Sequence, residues 1–335
     1  MRKSGQQAAL LSDQITVTDH LPPAGDGALI RSLLEGLATP PRHIPCRFLY
    51  DATGSQLFER ITALTEYYLT RFEKALLRRQ AARLAADLKE LDIVELGSGD
   101  RSKISILLDA VDPPVIDSLR YVPVDVSREA IEQSATALAE DHPGLTIHGI
   151  VADFLTQLHL IPERDRRLFC FFGSTIGNLA AAERSALFET FRRLMRAGDT
   201  LLLGLDLVKR RDIFERAYND SRGITAAFNL NILNAVNTIA GTDFDPSDFE
   251  HVAFYNDADR RVEMHLEAQA DVRVASPHLS SPITISRGER IHTENSHKFT
   301  KRQIIQEAEA AGLIVDPLFT DPRAWFGLAR IRPDA

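Results

Sequence analysis

The chain has 335 residues, 44% hydrophobic and 26% charged, which is enough apolar material for a large core and enough length for two lobes. Lysine and arginine number 39 against 47 acidic residues, a net charge of −8 that disfavours nucleic acid, because tracking a phosphate backbone relies on basic side chains. Cys46 and Cys170 show no metal spacing, no apolar run reaches the roughly 20 residues of a membrane span, and Met1 to Asp13 lacks a signal-peptide core. The expectation is a cytoplasmic monomer with free thiols that needs no metal, binds neither nucleic acid nor membrane, and acts on a small molecule.

Residues 1–24 are polar and end in the turn formers of Pro22-Pro23-Ala24-Gly25-Asp26-Gly27, so a flexible extension is expected there. A helix is predicted at 28–37 and prolines 40, 41 and 45 interrupt the chain again. The segment 51–71 reads as helical, with Leu57, Phe58, Ile61 and Leu64 at helical spacing, and an amphipathic helix follows to 88 through Leu76, Leu77, Ala81, Leu84 and Leu88. Strands are then predicted at 92–96, 121–126, 145–151, 167–172 and 200–207, alternating with helices at 103–111, 128–140 and 182–195. That alternation implies a parallel, doubly wound α/β sheet. Between 208 and 298 the pattern changes to helices at 213–218 and 225–239 and strands at 261–267 and 282–294, as in an inserted α+β lobe. A helix at 301–311 and strands at 316–319 and 325–331 close the chain as a terminal hairpin.

The strand Asp92–Leu96 runs directly into Gly97-Ser98-Gly99. Glycine turns the backbone sharply and lets a ligand approach, and the helix start that follows favours an anionic group. Asp125, ending the second strand, can accept from both ribose hydroxyls or cap the following helix. Asp153-Phe154 after the third strand can hold an adenine amino group and pack on the base, or form a surface turn. Lys103 stands one helical turn in, where a cation meets a carboxylate or simply solvent. The turn lacks a third glycine, since Ser102 stands there, and the chain ends in a hairpin. By fold analogy both points favour S-adenosylmethionine over a nicotinamide cofactor.

Phe48-Leu49-Tyr50-Asp51-Ala52-Thr53-Gly54-Ser55, Thr65-Glu66-Tyr67-Tyr68-Leu69-Thr70-Arg71, Val94-Glu95-Leu96-Gly97-Ser98-Gly99, Phe172-Gly173-Ser174-Thr175-Ile176-Gly177-Asn178, Ala226-Ala227-Phe228-Asn229, Glu263-Met264 and Thr293-Glu294-Asn295-Ser296-His297-Lys298-Phe299 occur in that order. Together they resemble the histidine-specific methyltransferase family from about Pro41 to the C-terminus. Leu69 departs from the pattern, which carries proline there. The resemblance implies a Rossmann-like class I methyltransferase sheet with helices on both faces and a terminal β-hairpin, plus a smaller α+β substrate lobe. It implies that Tyr50, Gly97, Lys103, Asp125, Asp153 and Phe154 contact S-adenosylmethionine. It further implies that Tyr67, Asn178, Tyr218, Glu294 and Ser296 contact histidine, with Met264 lining the imidazole pocket and Gly173 nearby.

Methyl transfer from a sulfonium needs alignment at about 3 Å and an uncharged amine more than acid–base power. Tyr67 and Asn178 are the candidate catalytic groups, Tyr67 for holding the amine and receiving its proton, Asn178 for binding a carboxylate or amine through its two-sided amide. Tyr218 can donate to a carboxylate. Glu294 and Ser296 are two apart on an extended segment and share a face, with Asn295 turned away. A carboxylate and a hydroxyl suit the two nitrogens of an imidazole. Val262, Met264 and Leu266 supply an apolar face beside them.

The resulting expectation is an enzyme with residues 25–72 and 208–298 as substrate lobe and 73–207 and 299–335 as S-adenosylmethionine domain. The resemblance implies three methyl transfers to the α-amine of L-histidine, giving hercynine and opening ergothioneine biosynthesis. The alternatives are an N-methyltransferase of another small amino acid or biogenic amine, a nicotinamide dehydrogenase, and a non-enzymatic binding module.

Overall fold

The computed structural model describes residues 8–21 and 27–334. Its strands are β1 (Ala8–Ser12), β2 (Ile15–Asp19), β3 (Asp92–Leu96), β4 (Arg120–Asp125), β5 (Thr146–Val151), β6 (Arg167–Phe171), β7 (Thr200–Asp206), β8 (Phe249–Asn256), β9 (Arg261–Ala268), β10 (Val272–Val274), β11 (Ile283–Ile285), β12 (Arg290–His297), β13 (Leu313–Thr320) and β14 (Phe326–Pro333). Its α-helices are α1 (Gly27–Ala38), α2 (Ala52–Thr62), α3 (Leu69–Ala85), α4 (Ile104–Leu108), α5 (Pro113–Ile116), α6 (Arg128–Asp141), α7 (Phe154–Gln157), α8 (Ala181–Leu194), α9 (Arg211–Tyr218), α10 (Ile224–Ala240) and α11 (Lys301–Ala310). Two compact units divide the chain after Leu21, Tyr68, Val208 and Lys298; one holds 8–21, 69–208 and 299–334, the other 27–68 and 209–298.

The first unit is built on one nine-stranded sheet in the order β1-β2-β5-β4-β3-β6-β7-β14-β13. The strands from β2 through β7 pair in parallel, and β14 then pairs antiparallel to both β7 and β13. The chain builds outward from β3 in one direction through β4 and β5, then in the other through β6 and β7. The order therefore reverses at β3, the kind of switch point beyond the carboxyl ends of the strands at which open α/β sheets bind their ligands. β3 and β6 are buried along their whole length. Alternate side chains feed two cores: Ile93, Tyr121, Ile147 and Cys170 on one face, and Val94, Val122, Ile150 and Phe169 on the other. Asp321 closes the terminal hairpin by accepting from the backbone N–H groups of Arg323, Trp325 and Phe326.

The flexible extension expected at 1–24 requires correction. Residues 1–7 and 22–24 lie outside the described residues, but β1 and β2 form a hairpin, and β2 extends the sheet alongside β5. Ile15 and Val17 are buried while Thr16 and Thr18 are half-buried, a period-two pattern too short to stand out among polar neighbours.

The second unit contains the antiparallel sheet β12-β9-β8, the short pair β10-β11, and helices α1, α2, α9 and α10. The helix expected at 51–71 is two helices, with the chain leaving this unit at the break between them. Tyr67 and Tyr68 in that break are both buried. Neighbours on a helix point about 100° apart, so an uninterrupted helix suits two adjacent buried rings poorly. The strand expected at 282–294 is likewise divided: Gly288, with φ +79°, turns the chain between β11 and β12. β8 escapes sequence reading because Val252 and Phe254 on one face and Phe249 and Tyr255 on the other leave no clean alternation.

Candidate functional site

In the first unit, Gly97 and Gly99 both adopt positive φ, +62° and +47°, which only glycine takes readily. The Gly97 N–H donates to Val124 O at 2.8 Å, and Gly99 N–H donates to Asp125 Oδ2 at 3.0 Å. Ser127 N–H donates to the other Asp125 oxygen at 2.9 Å. Asp125 thus braces the glycine loop from the end of β4, while Ser127, through Ala130 N–H, is the residue that caps α6. Burial raises the Asp125 carboxyl above the ordinary aspartate range despite those N–H donors. Asp153 caps α7 by accepting from Leu155 N–H at 2.9 Å. Phe154 meets Phe171 edge-on at 5.2 Å, and a Cβ placed on Gly97 would lie 3.7 Å from the Phe154 ring.

Lys103 and Gly173 meet at Glu73. Glu73 Oε2 is 3.4 Å from Lys103 Nζ, and the Gly173 N–H points at the same carboxylate at 2.8 Å. Burial works against the Lys103 charge, but Glu73, Glu95 and Asp100 outweigh it and hold the ammonium above the usual lysine range. Glu95 is itself buried, which pushes its carboxyl up to about 8, only partly offset by the Tyr121 hydroxyl at 2.6 Å and by Lys103. Asn178 ends a 3₁₀ turn, Thr175–Asn178, that follows β6, and the Ser174 hydroxyl before it accepts from Asp206 N–H at 2.9 Å. Sequence reading missed Glu73, although Leu69, Glu73, Leu76 and Leu77 are buried on one face of α3 at helical spacing. An acid on an apolar stripe was the available signal.

These residues fit a nucleotide-like cofactor. The cradle at Gly97 would be narrowed by any Cβ, and the Ser98 hydroxyl beside it is buried with no hydrogen-bond partner among the described residues. Among the described residues no group of three or more His, Cys, Asp or Glu could hold a metal, and no helix is long and apolar enough to cross a membrane.

The second unit collects Tyr50, Tyr67, Tyr218, Met264, Glu294 and Ser296. The Phe48–Ser55 motif works locally: Asp51 accepts from Gly54 N–H at 2.7 Å to cap α2, and a Cβ on Gly54 would lie 1.8 Å from Leu49 O. Tyr50, ahead of that cap, packs edge-on against Phe58 at 5.5 Å and Phe228 at 5.6 Å. Burial, then Glu294, hold its phenol well above the ordinary tyrosine range. Tyr67 continues the cluster to Phe58 at 6.2 Å and to Tyr218 at 6.3 Å. Leu69, at the motif's departure from the family pattern, is the first residue of α3, a position that accepts leucine and proline alike.

Glu294 and Ser296 lie opposite Met264 and Val262 across the β9–β12 ladder, and Ile291 lies opposite Leu266. All six share one face. His292, Asn295 and His297 lie opposite His265, Glu263 and Arg261 on the other. This arrangement depends on Thr293, which has no opposite number: the register shifts between His292 and Glu294. The bulge is held by the Thr293 hydroxyl, 2.6 Å from Asn229 Oδ1 and 3.0 Å from Met264 O. Asn229 on α10 is fully buried, and its amide nitrogen reaches His265 O at 2.9 Å. Asn229 and Thr293 therefore carry no visible ligand chemistry yet decide where Glu294 faces. The Tyr218 hydroxyl donates to Ser296 Oγ at 2.8 Å, and buried Lys298 touches both.

The sequence profile for histidine-specific, S-adenosylmethionine-dependent methyltransferases matches residues 29–333. The histidine N-alpha-methyltransferase of Mycobacterium tuberculosis (strain CDC 1551 / Oshkosh) is 41% identical over 94% of this chain and 98% of its own length. The protein of the same name from Mycolicibacterium smegmatis is 41% identical over 90% of this chain and 94% of its own. The Neurospora crassa ergothioneine biosynthesis protein 1 is 31% identical over 82% of this chain but only 31% of its own length. The mixed sheet with its terminal hairpin, the glycine turn at β3 and these matches lead to one conclusion: the chain belongs to the histidine-specific, S-adenosylmethionine-dependent methyltransferases.

Proposed function

We propose that this enzyme transfers three methyl groups from S-adenosylmethionine to the α-amine of L-histidine, giving hercynine and S-adenosylhomocysteine at the start of ergothioneine biosynthesis. The observation that carries the reading is the β12 bulge, which leaves a carboxylate, Glu294, and a hydroxyl, Ser296, beside Met264 on one apolar face. An imidazole offers a donor and an acceptor on opposite sides of a flat ring, and that pair answers both.

S-adenosylmethionine supplies a methyl group already activated on a sulfonium. In this reading Asp125 takes the ribose hydroxyls, Asp153 and Phe154 the adenine, and Lys103 the methionyl carboxylate. Gly97 allows close backbone approach, and Tyr50 completes the contact. Glu294 accepts from one imidazole nitrogen, Ser296 serves the other, and Met264 packs on the ring. Asn178 holds the carboxylate end and Gly173 leaves room for it, while Tyr218, whose one proton goes to Ser296, acts on the substrate through that hydroxyl and through its ring. Tyr67 holds the amine and relays its proton, since a protonated amine has no lone pair to attack with. Gripping histidine by its ring and carboxylate leaves the nitrogen free to rotate as its hydrogens are replaced. We further infer a single chain acting in the reducing cytoplasm, in keeping with two free thiols, Cys46 and Cys170. The acidic balance argues against a nucleic-acid substrate.

The test is incubation with S-adenosylmethionine and a panel of amino acids and biogenic amines, followed by mass spectrometry. Histidine gaining three methyl groups is expected; preferential methylation of another amine would overturn the reading.

A further inference from the structure

Lys298 follows β12 and is 1% exposed, among the most deeply buried cations of the second unit. Its ammonium donates to Ser296 Oγ at 2.8 Å and to the Tyr218 hydroxyl oxygen at 3.3 Å. It also lies over the Tyr218 ring at 5.0 Å and the Phe214 ring at 5.4 Å. Aromatic faces favour a desolvated cation. Tyr218 in turn donates its proton to Ser296 at 2.8 Å. A hydroxyl oxygen has two acceptor positions and one proton. Both acceptor positions of Ser296 are therefore taken, one by Lys298 and one by Tyr218, and only its proton remains to be given.

We propose that Lys298 is a positioning residue that makes Ser296 an obligate hydrogen-bond donor, so that, with histidine as the acceptor proposed above, the enzyme selects one neutral tautomer of the imidazole. The ring must present a bare nitrogen to Ser296 and its N–H to Glu294. The imidazolium, with an N–H on both sides, finds the Ser296 lone pairs occupied and a cation behind them. The titratable groups of this region among the described residues are Glu294 and Lys298, Tyr218 on α9, His251 on β8, Tyr50 and Tyr67 in the adjoining aromatic cluster, and Lys209, whose ammonium lies over the same Phe214 ring at 4.8 Å and donates to the Tyr68 hydroxyl at 2.9 Å. Burial lowers the His251 ring below the usual histidine range, and its Nε2 stands 2.9 Å from Tyr218 O.

The experiment compares wild type with K298M, K298R, S296A and the S296A/K298M double variant, measuring kcat and KM for histidine from pH 5.5 to 8 and S-adenosylmethionine affinity by calorimetry. Wild-type kcat/KM for histidine is expected to fall as the ring protonates near pH 6.5. K298M is expected to raise the histidine KM about tenfold or more, leave S-adenosylmethionine affinity unchanged and flatten that acid limb, because Ser296 regains a free acceptor position. K298R should restore the limb, and K298M should add nothing to the KM of S296A. Wild-type KM and acid limb in K298M, or simple addition of the two losses, would overturn the proposal. Should K298M fail to fold by circular dichroism, S296A carries the test: retention of the wild-type acid limb overturns the role of Lys298, and its loss supports it. A wild type that leaves histidine unmethylated defeats the histidine reading itself, whereas active wild type with an indifferent K298M defeats only the assignment of Lys298.

Discussion

Glu294 stands opposite Met264 because Thr293 is an extra residue in β12. With regular pairing Thr293 would face Met264, and Glu294 would fall on the other face opposite Glu263, where two carboxylates would repel. The bulge therefore turns an acid toward the apolar face and away from an acidic neighbour. Glu294→Ala should raise the histidine KM by about tenfold to a hundredfold, the worth of a charge-assisted hydrogen bond, while S-adenosylmethionine affinity stays unchanged. Steady-state kinetics with each substrate varied, together with calorimetry, checks this. Equal losses for both ligands would contradict the assignment.

Thr293→Val keeps the shape of the bulge residue but removes its hydroxyl. The Asn229 Oδ1 it bonds at 2.6 Å is then left buried without that donor. The expected cost is about 1–3 kcal/mol of unfolding free energy, read from urea denaturation. The histidine KM should rise with it. A stable T293V with normal KM would show that the bulge does not depend on this bond.

Gly97→Ala forces a Cβ into a left-handed backbone position and toward the Phe154 ring. Backbone strain of about 1–2 kcal/mol follows, and the loop loses room for a ligand. S-adenosylmethionine affinity should weaken by more than that strain alone predicts, measured by calorimetry beside thermal unfolding of the free protein. A variant destabilised in unfolding but normal in cofactor binding would remove Gly97 from the cofactor site.

Glu95 gives the ligand-free protein a pH signature. Its folded carboxyl titrates at about 8 against an ordinary 4.5. Between those values the native state holds a proton that the unfolded state has released. Glu95 is therefore destabilising above its unfolded pKa, and its contribution makes stability fall as pH rises from about 4.5 to about 8. Glu95→Gln keeps a neutral group in place, so it should unfold at a higher temperature than wild type at pH 8.5 and match it near pH 4.5. Thermal unfolding across that range decides; parallel curves for both proteins would place the carboxyl's titration elsewhere.

Much of the first unit was readable because its signals are local. A β3 strand of five apolar or acidic residues ending in Gly-Ser-Gly declares its turn without help from distant chain, and Asp125 and Asp153 stand at strand ends wherever those strands lie. The β1–β2 hairpin was missed because five-residue strands among polar neighbours look like loop until β5 is available to pair with. Glu73 was missed because its partners, Lys103 and Gly173, stand 30 and 100 positions away. In the second unit, residues 294 and 296 could be paired by strand periodicity, and the apolar set 262, 264 and 266 likewise.

By itself, then, the sequence determined the alternation of strands and helices, the glycine turn and the chemical types available for two ligands, since period, turn propensity and side-chain chemistry are properties of short segments. Only the tertiary structure decided the order of the strands, the reversal at β3, which face of β9 receives Glu294, and that Lys298 and Tyr218 both spend their protons on Ser296. Those depend on register and on hydrogen bonds between residues remote in the chain, where one unpaired residue, Thr293, exchanges the two faces of a strand.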